Sequence, residues 1–373
     1  MKRIIALLLA LTLLLCGCAT APEPTEPSTQ PSTEATQPTT EATQPTETTE
    51  ATQPTEVTEP PVLYRHPLNG APLDAPWTGF ATAIVINNHE AAMPQHGISQ
   101  ADIFYEIETE GGITRCLGIF SDFTDVGSIG PVRSARTYFN NLATAYDAPL
   151  AHCGGSVRGI EGYHDLLGSK ISNWPHIDAK YYETTYFFRD DYRNSIGYDW
   201  EHTLFTTGDL MLTALAEKEL ERVHEGSDAF GLTFDKTVVL EGEAVSEFSA
   251  TFRAVKKTGF SYDPETDLYT HSQYGGVTID GNTGRPVTFR NVLILQTSQQ
   301  SIPTGRDWLS YYELVGSGNG WFACGGQLVP ITWTRSELHA PFTYTLADGT
   351  PLTLAEGKTY IAISSSSEPV SYD

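Results

Sequence analysis

The chain has 373 residues, with 22 basic and 46 acidic side chains and a formal net charge of −24. That acidity excludes nucleic acid and anionic lipid as general partners, because both need a basic face. Of five cysteines, the three beyond the first eighteen residues, Cys116, Cys153 and Cys324, match no zinc spacing and are odd in number, so a disulfide framework is not indicated, and no metal or other cofactor is expected.

The chain starts with Lys2 and Arg3, followed by an almost unbroken apolar run from Ile4 to Leu15. The run is too short to span a bilayer and has the length of a signal peptide. Leu15-Cys16-Gly17-Cys18 then places a small residue before a cysteine, the lipobox pattern. Residues 1–18 therefore read as a lipoprotein signal with Cys18 as the lipidation site. Acyl chains on that thiol would hold the protein to the outer face of the cell membrane.

Residues 19–61 contain three copies of Ala-Thr-Gln-Pro-Thr, at Ala35, Ala42 and Ala51, and neither an aromatic nor a basic residue. Such a segment cannot bury enough apolar surface to offset its ordering and reads as a disordered tether. Setting aside Lys2, Arg3 and the eight glutamates of the tether leaves 20 basic and 38 acidic side chains, so the body sits near −18. The expected organisation is an α/β domain over 62–235 and a β-rich domain over 236–373. The fold class is α+β, with a mixed, partly parallel sheet in the first domain.

Within the first domain, Ala81 to Asn87 is short, apolar and β-branched, Ile103 to Glu108 alternates, and Thr114 to Ser121 follows the turn Gly111-Gly112. All three read as strands. Val132, Ala135, Phe139, Leu142 and Tyr146 have the spacing of a helix face, with Arg133 and Arg136 together at its start. Pro149 to His152 reads as a short strand, with a second helix from Ser156. Residues 168–205 carry many aromatics without periodicity and read as long loops around a site. Thr207 and Asp209 open a helix that buries Leu212, Leu215, Ala216 and Leu220. The last third reads as strands of a sandwich or barrel, with turns at Asp280-Gly281, Gly316 to Gly320, Gly325-Gly326 and Asp348-Gly349.

Arginines gathered in an acidic body point to recognition of a carboxylate or phosphate. The candidate binding residues are Arg115, Arg133, Ser134, Arg136 and Arg189, and structural ion pairing is the competing use of the same side chains. A cell-wall or other envelope polymer is the natural partner outside a tethered body. The alternative is an envelope-polymer hydrolase or transferase, with His152 or His202 as general base, Glu106 as carboxylate and Ser156 as nucleophile. A second alternative is a structural or partner-binding lipoprotein. Cys153 reads as a small buried thiol, since neighbouring residues on a strand point to opposite faces and His152 cannot activate it.

At Ile86-Asn87-Asn88, Gly97 to Asp102, Tyr105-Glu106, Gly111 to Arg115, Ile129 to Arg136 and His152 to Ser156 the sequence resembles the YerB-like lipoproteins, a two-part family of unknown function in Gram-positive bacteria. His202 to Thr206 is similar to a further family segment. Gly325-Gly326-Gln327, Ile331-Thr332-Trp333 and Gly357 to Tyr360 are similar to its second part. The resemblance spans Leu63 to Ser364 and implies a membrane-anchored protein without an assigned activity. Cys116, Cys153 and Met93 depart from the family pattern, which weighs against a thiol mechanism and against anion binding by the loop at Met93.

Overall fold

A computed structural model describes residues 63–155, 174–226, 228–253, 256–303 and 308–373. The lipobox, Cys18, the tether and Ser156 lie outside the described residues.

The main strands are β1 Thr82–Asn87, β2 Ile103–Glu108, β3 Thr114–Phe120, β4 Leu150–His152, β5 His176–Asp178, β6 Glu243–Ala244, β7 Glu247–Arg253, β8 Lys256–Asp263 and β9 Leu268–Gln273. They continue as β10 Asn291–Thr297, β11 Gly316–Cys324, β12 Gln327–Arg335, β13 Thr343–Leu346, β14 Thr359–Ser365 and β15 Val370–Tyr372. The two longer helices are α1 Thr137–Thr144 and α2 Gly208–Glu217.

An eleven-stranded mixed sheet runs β6-β12-β11-β10-β14-β2-β3-β1-β4-β5, with β13 also on β12. Strands β10, β14 and β2 are mutually parallel, as are β1, β4 and β5. The sequence divides the body at 235/236, but this sheet takes strands from both stretches. The seam is the parallel pair β14–β2, in register from Thr359 opposite Ile103 to Ile363 opposite Ile107. A second sheet of six strands, β9-β8-β7-β15 with two short strands on β9, comes wholly from the later half.

Both faces of the large sheet are covered, which explains why its strands are apolar almost throughout. Alternation sends Ala83, Val85, Tyr105, Leu117, Leu293 and Ile361 into one core with Phe139 and Leu142 of α1. Ile84, Phe104, Cys116, Val292, Ile294 and Tyr360 enter the other. There they meet Phe248, Ala250, Phe260 and Tyr269 of the second sheet, and Met211, Ala214 and Leu215 of α2. The late strands thus form a sandwich, as the sequence suggests, one layer of which is completed by the early half.

Four local expectations are corrected. The first helix begins at Thr137, so Val132 and Ala135 are not on its face. Their N–H groups donate instead to the carbonyls of Leu204 and Gly154, which keeps 131–135 extended along the sheet. Helix α2 is capped by Thr207 as expected, but Leu212 and Ala216 face outward and Met211 takes the buried position. Gly316 to Gly320 is strand rather than turn. A Cβ on Gly318 would lie 2.5 Å from the Gln296 carbonyl and 2.6 Å from the Trp333 ring, so glycine serves close packing there. Residues 174–205 are not bare loop: they hold β5, a short strand at Phe188–Arg189 and helical turns at Ala179–Tyr182 and Asp191–Ser195.

Candidate functional site

Four of the five residues proposed for binding converge on the extended segment 130–136. Arg115 comes from β3 and is 5% exposed. The Ser134 carbonyl accepts from Arg115 Nη1 at 2.9 Å and from Arg136 Nη1 at 3.4 Å. Arg136, which immediately precedes α1, forms a bidentate pair with Glu110. Arg133 pairs with Glu201 at 3.0 Å. Arg133 and Arg136 do not share a helix face, since the helix starts after both.

Arg189 extends the strip. It holds Glu183 bidentately at 2.8 and 3.0 Å and lies 4.1 Å over the Trp200 ring. Its Nη1 donates to the Trp200 carbonyl, and Arg133 Nη1 donates to the next carbonyl, that of Glu201. One turn therefore anchors both arginines.

Structural pairing accounts for much of this strip, since Arg133, Arg136 and Arg189 each have a carboxylate partner. Arg115 differs. Among the described residues no carboxylate lies within ion-pairing distance of it. Burial, with Arg136 and Arg133 nearby, pushes its guanidinium down to about 9. The buried Nε atoms of Arg115 and Arg133 have no hydrogen-bond partner among the described residues. Unanswered donors of this kind call for an explanation.

The residues proposed for catalysis are not brought together. Glu106 is fully buried. Asn88 and Thr114 donate to its Oε1 at 2.8 and 2.5 Å, Thr258 donates to its Oε2 at 2.7 Å, and Tyr360 donates to the same oxygen. The Lys256 ammonium lies 3.3 Å from Oε1. Burial alone would raise this carboxyl, but Lys256, His271 and the hydroxyls hold it below the usual range. Gln273 and Gln95 both donate to Asn88 Oδ1 at 3.0 Å, which closes the network. Glu106 has no solvent face from which to serve a substrate.

His152 is buried, and its Nδ1–H donates to the Gly154 carbonyl at 2.8 Å. Its ring lies 5.5 Å from that of His176. His202 Nδ1 accepts from Asn87 Nδ2 at 2.8 Å, and its ring stacks on His89 at 5.4 Å. Burial lowers both imidazoles below their usual value. No direct hydrogen bond or ion pair among the described residues joins Glu106, His152 and His202. The three cysteines among the described residues, Cys116, Cys153 and Cys324, are free thiols, and burial raises that of Cys153. Among the described residues no group of three or more His, Cys, Asp and Glu side chains is placed to hold a metal ion.

A polar cleft of about 460 Å³ lies elsewhere and carries residues that the sequence reading gave no chemistry. Its wall includes His66, Trp77, Asp102, Ser121, Asp122 and Lys358. Asp102 and Lys358 directly precede Ile103 and Thr359, the first register pair of β2 and β14, so the seam between the halves sets them side by side. Both belong to motifs that carry the family resemblance, which was the available signal. His66, Trp77 and Ser121 follow no periodicity that could have exposed them.

The architecture and these sites define an α+β body whose two halves share a sheet, with polar surface features and an enclosed charge network. Family models for the N-terminal and C-terminal domains of the DUF3048 proteins, described as proteins of unknown function, match residues 71–221 and 248–361. The chain belongs to this two-part, YerB-like family. It is 30% identical over 301 residues to YerB of Bacillus subtilis (strain 168), whose name places it among lipoproteins, covering 78% of this chain and 86% of that one. The crystal structure of Bacillus subtilis YerB superposes with a TM-score of 0.68 at 27% identity, covering 82% of this chain and 99% of that one. Among the described residues no helix is long and apolar enough to cross a membrane.

Proposed function

We propose that the protein is an extracytoplasmic lipoprotein, anchored through acylated Cys18, whose body recognises an anionic component of the cell envelope along the Arg115–Arg133–Arg136 strip. The address rests on the signal-length apolar run, the lipobox and the lipoprotein name of the relative. Radiolabelled palmitate should enter the chain and be lost in Cys18→Ala. Labelling that survives in the variant would remove Cys18 as the anchor.

The observation that carries the recognition reading is Arg115, a buried guanidinium with no ion-paired carboxylate among the described residues, beside two other arginines in an acidic body. A buried charge without a partner is costly, and an arriving phosphate or carboxylate would relieve it. Arg133, 20% exposed, would touch the ligand, with Arg115 behind it supplying charge that meets the field of Glu110 but no ion pair among the described residues.

The test is retention of the full chain on purified cell wall. The pair Arg115→Met and Arg133→Ala should lose retention while still unfolding cooperatively in urea. Retention equal to wild type in a folded double variant would sink the reading.

A further inference from the structure

The cleft at the seam of β2 and β14 offers the most complete set of unassigned groups. Asp102 is fixed from within: its Oδ1 accepts from Asn69 Nδ2 at 2.6 Å, and its Oδ2 accepts from the Ser121 N–H at 2.9 Å and the Ser121 hydroxyl at 2.6 Å. His66 Nδ1 accepts the Leu68 N–H at 3.2 Å, so its Nε2–H faces Ser121 Oγ at 3.1 Å. That order is the reverse of a nucleophile's, because the hydroxyl gives its proton to the carboxylate and the imidazole donates to the hydroxyl. A serine hydrolase is excluded here by geometry, and recognition is left.

Lys358 is the group that asks for a ligand. It is half-buried, and no hydrogen bond or ion pair holds its ammonium among the described residues. Burial lowers it, and only the fields of Asp102 and Asp280 oppose the effect. Asp102, its acceptors already engaged, gives charge without a contact. The half-buried Trp77 ring packs edge-on against His66 at 5.3 Å and is part of the same wall. Asp122 on the rim is exposed, and its Oδ1 accepts the Thr124 N–H at 2.8 Å. A cation for a carboxylate, an aromatic surface for a ring of C–H groups and a carboxylate for hydroxyls are the elements of acidic-sugar recognition. The volume falls within the range of small-ligand sites.

We propose that this cleft binds an acidic sugar unit, its carboxylate on Lys358, its ring against Trp77 and its hydroxyls toward Asp122. The site is independent of the arginine strip.

Calorimetric titration of the full chain with glucuronate tests it, with glucose and glycine as comparison ligands. Glucuronate should bind saturably, and glucose and glycine at least tenfold more weakly. Lys358→Met and Trp77→Ala should each weaken glucuronate at least tenfold, while Lys358→Arg retains most of the affinity and reports that the fold survives. Arg115→Met with Arg133→Ala should leave it unchanged, which separates this site from the strip. Absence of saturable glucuronate binding, equal affinity for glucose, preference for glycine, or unaltered binding in Lys358→Met would each overturn the proposal.

Discussion

Two charged regions of this body use similar groups to different ends. Around Glu106, one carboxylate and one ammonium are sealed with hydroxyls and amides from both halves, and both carboxylate oxygens are answered. Along the strip from Arg136 to Arg189, four guanidiniums meet three carboxylates among the described residues, and two buried Nε atoms have no acceptor there. A satisfied network fixes a fold, and an unsatisfied one is open to a partner. The contrast separates the residues that join the halves from those available to a ligand.

The largest test of the contrast is Lys256→Met. It leaves Glu106 charged and enclosed with one partner fewer, and should cost about 3–5 kcal/mol in urea denaturation. A loss below about 1 kcal/mol would mean the network does not hold the seam.

Glu108, two residues along the same strand, gives a smaller, pH-dependent effect. Burial pushes its carboxyl up to about 7, against the opposing pull of Arg253. The unfolded chain releases that proton near the ordinary value of 4.5, so the folded state binds the extra proton between the two. Its contribution is therefore most favourable below about 4.5 and declines as pH rises through about 7. Urea midpoints at several pH values should show this slope in wild type and a flatter one in Glu108→Gln. Equal slopes would remove Glu108 as its source.

What the sequence reveals follows from the range of the interactions. Ile103 to Glu108 declares itself by alternation, and Thr207 declares a helix start, because both signals are local. Val132 and Ala135 mimic a helix face, yet distant carbonyls claim their N–H groups. The β14–β2 pairing joins residues about 250 positions apart and has no local trace. The same holds at the sites. Clustered arginines can be noticed by composition, whereas the burial of Glu106 depends on Asn88, Thr258 and Tyr360 meeting across that seam. Glu106 reads from the sequence as a catalytic carboxylate, and only its partners from distant strands reveal that it is enclosed.

Arg115→Met probes the strip itself. It removes a buried cation that repels its neighbours, at the cost of one hydrogen bond to the Ser134 carbonyl. The two effects oppose, so the unfolding free energy should change by no more than about 1 kcal/mol in either direction. Destabilisation of several kcal/mol would place Arg115 with the structural groups and leave the strip without a charge to offer.

The smallest change in stability should come from Glu201→Gln. Glu201 is 55% exposed, and exposed ion pairs contribute little, so a loss of about 0.5 kcal/mol or less is expected. Its effect on binding should run the other way, because Glu201 competes with any anion for Arg133. The variant should hold to purified cell wall at higher salt than wild type does. Weaker retention would show that the Arg133–Glu201 pair positions the strip rather than blocking it, and the division between satisfied and available arginines would then fall at Arg115 alone.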